Sequence, residues 1–217
     1  MTDSWFTERN DREGLGLTLR VSEKLLDEQT PYQHLEVYQT TRWGRLMVLD
    51  GYVMLTSRDN FTYHEMMSHP VLYTHPDPRR VLIIGGGDCG TLREVLKHPG
   101  VERCVQVDID ERVTRASERF FPELCTANSD PRAELLFADG VAYVKALAEN
   151  SFDVVIVDST DPQGPAVGLF GQDFMGDVRR ALGGNGIMVQ QSESPILHLQ
   201  TILADVHRVM RAAGYGK

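Results

Sequence analysis

The sequence has few of the features that mark secreted, membrane or nucleic-acid-binding proteins. Three cysteines in 217 residues cannot all pair, and they lack the spacing of a metal site. No run approaches the roughly 18 apolar residues of a membrane span, and the start has no apolar signal core. Basic residues are the minority, because 22 Lys and Arg face 31 Asp and Glu. We therefore expect a reduced, cytoplasmic protein without a membrane or nucleic-acid partner.

A composition of 41% hydrophobic and 24% charged residues is typical of a globular protein. The first third alternates apolar and polar residues, for example over 17–22 and 35–38, which predicts half-buried strands. Asp50-Gly51 between the apolar runs 46–49 and 52–55 indicates a tight hairpin. We predict a small antiparallel β domain over residues 1–62. It is too small to bury much surface, so it should pack on the rest of the chain or on another subunit.

Residues 63–217 show a different pattern, in which apolar runs alternate with amphipathic segments. The runs are 81–84, 104–107, 135–137, 154–157 and 187–189, and the helical segments are 91–98, 110–121, 141–149, 173–182 and 196–214. This alternation predicts an α/β domain with a parallel sheet and helices on both faces. The fifth strand should lie at the sheet edge and expose apolar residues.

Acidic residues follow four of these predicted strands, at Asp88, Asp108, Asp139 and Asp158. Each one alone is readily explained as a helix N-cap. Because ligands of parallel sheets bind beyond the carboxyl ends of the strands, all four should border one crevice. The glycine-rich loop 85–90 allows close approach of a ligand, but Asp88 would repel a dinucleotide pyrophosphate. The pattern favours a cationic nucleoside, a cationic co-substrate, or both.

Other candidate residues give weaker signals. His64 and His69 are five positions apart and would diverge by about 140° on a helix, so we predict no metal site there. Met54, Met66 and Met67 are assigned to the core. The polar segment 190–193 either lines the crevice or is an ordinary surface loop.

Five segments together resemble the spermidine synthases, which are polyamine aminopropyltransferases, and the bacterial enzymes most closely. They are Tyr32-Gln33, Leu49-Asp50-Gly51, Tyr63-His64-Glu65-Met66, the loop 85–90 with 92–95, and Asp158-Ser159-Thr160-Asp161-Pro162-Gln163-Gly164-Pro165. The resemblance covers nearly the whole chain. It implies a Rossmann-like, class I methyltransferase-type domain, a homodimer or homotetramer, and no metal or cofactor. It also implies aminopropyl transfer from decarboxylated S-adenosylmethionine to putrescine, giving spermidine and methylthioadenosine.

The resemblance also implies a role for each matching residue. Asp158 is the expected proton acceptor, and Asp88 is expected to hold the aminopropyl ammonium. The remaining expected contacts are Tyr63, His64 and Asp161 for the polyamine, and Gln33, Gly86, Asp108, Asp139, Gly140 and Pro165 for the nucleoside.

The sequence departs from the family pattern at several points. Cys89 replaces the usual glycine, Asp108 the usual glutamate, and Asn60 follows Asp59 where glutamate is common. Family members continue with two further strands and a tyrosine-bearing segment over the polyamine, so we expect weak diamine binding and slow transfer unless these residues belong to a longer polypeptide. Three alternatives stay open: an S-adenosylmethionine-dependent methyltransferase, transfer to another amine, and a non-catalytic nucleoside-binding form.

Overall fold

A computed structural model describes residues 4–11, 14–192 and 202–216. Within these residues, ten strands form two five-stranded sheets, one antiparallel and one parallel. The predicted combination of a small antiparallel unit and a larger α/β unit is therefore confirmed.

The antiparallel sheet is a meander of five strands. They are β1 (Ser4–Asn10), β2 (Leu15–Gln29), β3 (His34–Thr40), β4 (Arg45–Leu49) and β5 (Tyr52–Thr56). The predicted hairpin joins β4 and β5, where Asp50 and Gly51 adopt φ values of 51° and 86°. Strand β1 and most of β2 were not predicted, because these strands form a largely exposed ribbon with little alternation of apolar and polar residues.

The N-terminal sheet buries its apolar face against α3 (Glu111–Phe120) and the turn that follows. Leu35, Val37 and Met47 share one hydrophobic cluster with Val113 and Phe120. The expected packing of this sheet on the rest of the chain is confirmed. The division into residues 1–62 and 63–217 stays a prediction, and helix α1 (Asn60–Thr74) runs across residue 62.

The second sheet alternates strands and helices as predicted. Its strands are β6 (Arg80–Gly85), β7 (Arg103–Asp108), β8 (Ala133–Phe137), β9 (Val154–Asp158) and β10 (Ile187–Gln190), and its helices are α2 (Gly90–Leu96), α3, α4 (Gly140–Ala146), α5 (Gln172–Leu182) and α6 (Ile202–Ala212). A short 3₁₀ helix (Gly164–Phe170), not predicted, follows β9. Helix α4 ends earlier than predicted because Leu147 is extended.

Helices cover both faces of the parallel sheet. Leu82 and Ile84 of β6 pack with residues of α4 and α5, whereas Val81 and Ile83 pack with α1 and α2. The chain moves outward from β6 to β8 on one side and from β6 to β10 on the other, which is the Rossmann-like arrangement. The order therefore reverses between β6 and β9, and a crevice is expected there.

The methionines of α1, the edge strand of the parallel sheet and the last predicted helix can each be compared with the sequence predictions. Met67 is buried as predicted, but Met66 is 65% exposed, so its assignment to the core is wrong: it lies about 100° around α1 from Met67. β10 is the sheet edge, and among the described residues it pairs only with β9. Residues 196–201 of the predicted last helix lie outside the described residues. None of the described helices is long and apolar enough to span a bilayer.

Candidate active site

A cavity of about 390 Å³ lies beyond the carboxyl ends of β6, β7 and β9, with one wall supplied by the N-terminal sheet. Its lining includes all of the predicted site residues except His64: Gln33, Tyr63, Gly86, Asp88, Asp108, Asp139, Gly140, Asp158, Asp161 and Pro165. Apolar side chains such as Leu49, Ile84 and Val113 form much of the remaining wall. The cavity thus combines apolar walls with several carboxylates.

The glycine-rich loop brings the ends of β6 and β9 together. Gly85 and Gly86 adopt φ values of 84° and 68°, and the Gly86 N–H donates to the Asp158 carbonyl at 2.7 Å. A Cβ atom at Gly85 would lie 2.1 Å from that carbonyl oxygen, so no larger residue fits. This close crossing places Asp88 and Asp158 in the same cavity.

Asp158 is 8% exposed at the end of β9 and accepts two short hydrogen bonds. The Tyr63 hydroxyl donates to one carboxylate oxygen at 2.5 Å, and the Thr91 hydroxyl donates to the other at 2.6 Å. Burial and the nearby charge of Asp88 raise the pKa of Asp158, although its hydrogen bonds and His64 oppose the rise. Burial and the charge of Asp158 raise the pKa of Tyr63, so its hydroxyl keeps its proton. Asp158 is therefore a fixed carboxylate with an increased tendency to take up a proton.

His64 lies behind Asp88 rather than in the cavity wall. It is 1% exposed, and its Nε2 atom is 3.2 Å from both carboxylate oxygens of Asp88. Burial opposes charge on both groups, but their mutual attraction lowers the pKa of Asp88 and raises the pKa of His64. The Gly90 N–H also donates to Asp88 at 2.6 Å. Asp88 is thus held as a carboxylate aimed at the cavity.

The two acids after β7 have different roles: the strand-end pattern alone does not separate them, and the family resemblance assigns the nucleoside to Asp108. Asp110 is buried and caps α3, and it accepts hydrogen bonds from Thr30 at 2.7 Å and Gln33 at 3.0 Å. Asp108 lines the cavity and receives the Asp110 N–H at 2.8 Å. Burial raises the pKa of Asp108 to about 6, with further contributions from the charges of Asp110, Asp158 and Asp88. Asp110 is therefore structural, whereas Asp108 is available to a ligand.

Asp139 both caps helix α4 and lines the cavity. One of its carboxylate oxygens accepts the N–H groups of Val141 and Ala142 at the start of α4, as an N-cap does. The residue nevertheless lines the cavity beside Gly140, where a Cβ atom would meet Ile84 at 2.7 Å. Asp139 can therefore cap the helix and still present its second oxygen to a ligand.

Four residues at the site had no functional role assigned from the sequence, and one of them, Thr91, is buried outside the cavity lining. Thr91 follows the glycine loop and gave no signal beyond ordinary helix composition. Tyr52 and Met54 come from β5, and Met54 both lines the cavity and packs against the hydrophobic cluster that contains Met47 and Val113, in agreement with its assignment to the core. Gln191, one of the residues left open, lines the cavity and donates to Asp161 at 3.1 Å. Glu193 lies outside the described residues.

A second group of polar side chains lies on the N-terminal sheet. Asp27, His34 and Glu36 bring two carboxylates and an imidazole within 4.8 Å of one another. The Lys24 ammonium is 2.7 Å from the carboxylates of both Asp27 and Glu36. The lysine thus already supplies the cation that this group attracts.

Comparisons with known proteins give matches over almost the whole chain. Residues 60–215 match the family model of the spermine/spermidine synthase domain, and residues 4–57 match that of the spermidine synthase tetramerisation domain. A polyamine aminopropyltransferase of Alkalilimnicola ehrlichii is 67% identical over 213 residues, which are 98% of this chain and 74% of that protein. Its counterpart in Halorhodospira halophila is 60% identical over 99% of this chain and 77% of that protein.

Solved structures show the same relationship. A spermidine synthase crystallised with the transition state analogue AdoDATO superposes with a TM-score of 0.93 at 34% identity, covering 98% of this chain and 72% of that one. The spermidine synthase from Thermotoga maritima gives a TM-score of 0.91 at the same identity and coverage. Family model, relatives and structures agree over almost the whole chain, which belongs to the spermidine synthase family of polyamine aminopropyltransferases.

Proposed function

We propose that the protein transfers the aminopropyl group of decarboxylated S-adenosylmethionine to putrescine, giving spermidine and methylthioadenosine. The observation that carries this proposal is the charge of the cavity. Asp88, Asp108 and Asp158 all line it, and its described lining includes no lysine, arginine or histidine. Grouped carboxylates in a low-dielectric site favour cationic ligands. The donor carries a sulfonium and an ammonium, and the acceptor is a protonated diamine.

The positions of the residues support an arrangement for the donor. Its ribose hydroxyls are proposed to bind Asp108 and Gln33, and its adenine is proposed to lie near Asp139, Gly140 and Pro165, with Gly86 against the nucleoside. Its ammonium is proposed to pair with Asp88. His64 acts through Asp88, because it is not part of the cavity wall.

Asp88 is also proposed to select against ordinary S-adenosylmethionine. That molecule carries a carboxylate on the same chain, and two like charges about 4 Å apart repel by several kcal/mol at the effective dielectric of a partly buried site. The donor without a carboxylate is attracted instead. This difference separates an aminopropyltransferase from a methyltransferase that uses the same type of sheet.

The reaction is proposed as a direct displacement with Asp158 as the proton acceptor. The bound ammonium gives one proton to Asp158, which can accept it because burial raises the pKa of its carboxyl. The neutral amine then attacks the carbon next to the sulfonium, the carbon–sulfur bond breaks, and its electron pair stays on sulfur as a neutral thioether. Tyr63 and Asp161 are proposed to contact the amine. The mechanism requires no metal or cofactor, since the leaving group belongs to the donor.

Ligand binding tests the donor assignment. Calorimetry should show that decarboxylated S-adenosylmethionine binds at least about tenfold more tightly than S-adenosylmethionine, as expected for the charge difference at Asp88. Asp88→Asn should remove most of this preference while methylthioadenosine binding changes little. Equal affinities for the two donors in the unsubstituted protein would refute the proposed role of Asp88.

Turnover tests the base assignment separately. Asp158→Asn should reduce spermidine formation by on the order of 10²–10⁴-fold, the usual cost of losing a general base. Methylthioadenosine binding should persist, which shows that the cavity is intact. A variant that kept more than a tenth of the turnover would require another base. Offering a panel of diamines in the same assay identifies the preferred acceptor.

The match of residues 4–57 to a tetramerisation domain supports self-association. We propose a homodimer or homotetramer, which light scattering after gel filtration measures directly. A monomer at micromolar concentration would contradict this. The cytoplasmic location stays a prediction.

A further inference from the structure

One residue of the glycine-rich loop adopts a backbone conformation that is unfavourable for a residue with a side chain. Cys89 has a φ of 69°, in the left-handed region where L side chains are disfavoured and glycine is preferred. Its side chain is fully buried. Its neighbours Asp88 and Gly90 form the end of the loop that faces the cavity and the start of α2. A change at Cys89 is therefore transmitted directly to Asp88.

A second thiol lies beside this loop. Cys125 is in the turn after α3, where its N–H donates to the Pro122 carbonyl at 3.2 Å, and its side chain is half-buried. The Cys125 thiol donates a hydrogen bond, at 3.8 Å, to the Asp88 carbonyl oxygen, which belongs to the peptide bond that joins Asp88 to Cys89. The Cys89 sulfur is 3.7 Å from the Gly87 carbonyl oxygen. Two thiols distant in sequence thus meet beneath one loop.

We propose that Cys89 and Cys125 form an oxidation site, at which an intramolecular disulfide joins the glycine loop to the turn after α3. The two thiols lose two protons and two electrons, which a two-electron oxidant accepts. With hydrogen peroxide the products are one disulfide and two water molecules. With diamide, the azo bond is reduced to a hydrazine while the sulfur–sulfur bond forms.

The half-buried thiol is the entry point for the oxidant. Its sulfur reacts first and forms an adduct, and the Cys89 sulfur displaces the reduced oxidant. The neighbouring Cys89 thiol and burial raise the pKa of the Cys125 thiol, so little thiolate is present at neutral pH. Oxidation is therefore slow at neutral pH and faster as the pH rises.

The bond should change donor binding, an effect that rests on the proposed function. A disulfide holds its sulfurs about 2.05 Å apart, much closer than two thiols in contact. The loop must therefore move toward the turn after α3, and the Asp88 carboxylate moves with it away from its position between Gly90 and His64. Decarboxylated S-adenosylmethionine, which carries an ammonium, should lose affinity. Methylthioadenosine, which lacks the ammonium, should lose much less.

The test begins with the bond itself. The protein is treated with diamide at pH 8.5, alkylated, digested with trypsin without reduction, and analysed by mass spectrometry. We expect a peptide pair linked through Cys89 and Cys125 that disappears after dithiothreitol. Cys104→Ala is the matched control, because it removes the third thiol and keeps the pair. Absence of the linked peptide in both proteins would overturn the proposal.

Calorimetry on the same samples tests the consequence. Oxidation should weaken binding of decarboxylated S-adenosylmethionine by at least fivefold in the unsubstituted protein and in Cys104→Ala, with recovery on reduction. Cys125→Ser, and Cys125→Ala as a second variant, should be insensitive to diamide. A linked peptide with unchanged donor affinity would refute the effect on the loop. If the reduced protein failed to bind the donor, the proposed function would be wrong, while peptide mapping would still decide whether the bond forms.

Discussion

Replacing Asp108 by asparagine measures how much the buried charge of Asp108 destabilises the folded protein. In the folded protein, burial raises the pKa of Asp108 from 3.8 to about 6. At 1.36 kcal/mol per pKa unit, this corresponds to a loss of stability on the order of 3 kcal/mol once the group is ionised. Asparagine has nearly the same shape, and its oxygen can still accept the Asp110 N–H. Asp108→Asn should therefore be more stable than the unsubstituted protein at neutral pH.

The sign of the pH dependence follows from the raised pKa. The folded state binds the Asp108 proton more tightly than the unfolded state, so this group costs no stability below pH 3.8. The cost grows as the pH rises toward 6 and is constant above it. Urea unfolding at pH 7.5 should show the stabilisation by Asp108→Asn, and at pH 4 the difference should largely vanish.

Two results would refute this reasoning about Asp108. One is a variant no more stable than the unsubstituted protein at pH 7.5, and the other is a stabilisation of equal size at both pH values. The second result would indicate a packing effect rather than a charge effect. Asp108→Asn should also bind methylthioadenosine more weakly if Asp108 holds the ribose, which shows that stability here is exchanged for ligand affinity.

Two further substitutions test groups around Asp158 and Asp88. Thr91→Val removes a hydrogen bond to the Asp158 carboxylate, and a bond to a charged group contributes about 1.5–3 kcal/mol. Its loss should favour the protonated form of Asp158 by roughly 10- to 100-fold. The acid limb of the pH–rate profile should therefore move to higher pH. Thr91→Ser should restore the profile, and an unmoved limb in the valine variant would contradict the role. Gly90→Ala places a Cβ atom 2.2 Å from the His64 ring, so it should displace the imidazole and weaken donor binding. In the control Gly100→Ala, the added Cβ atom meets nothing within 4 Å, so donor binding should not change. Calorimetry with the donor compares the affinities of the two variants.

The sequence predicted the outline of the cavity because the parallel sheet imposes it. The carboxyl ends of neighbouring parallel strands lie at one edge, so an acid after each strand must face the same crevice. That rule placed Asp88, Asp108, Asp139 and Asp158 together without any knowledge of side-chain geometry. The rule does not depend on the precise ends of the helices, which is why the short α4 did not affect the outcome.

The remaining details depend on contacts that are distant in sequence. The strand-end pattern alone does not separate Asp108 from Asp110, and the cap of α3 with the hydrogen bonds from Thr30 and Gln33 identifies Asp110 as structural. Thr91 has a role because β9 brings Asp158 to it, which no local pattern indicates. The exposed Met66 was assigned to the core because hydrophobicity alone does not say which face of a helix is buried.

The hydrogen bonds of Asp110 connect the turn between β2 and β3 to a helix of the parallel sheet. Gln33 belongs to the N-terminal part of the chain, yet its amide nitrogen is held by a carboxylate that caps a helix of the parallel sheet. A substitution at Thr30, which does not line the cavity, can therefore reorient a cavity side chain by removing one of the donors to Asp110. A chimaera of two relatives that differ at Thr30, Gln33 or Asp110 should keep the cavity only if it takes all three residues from one parent.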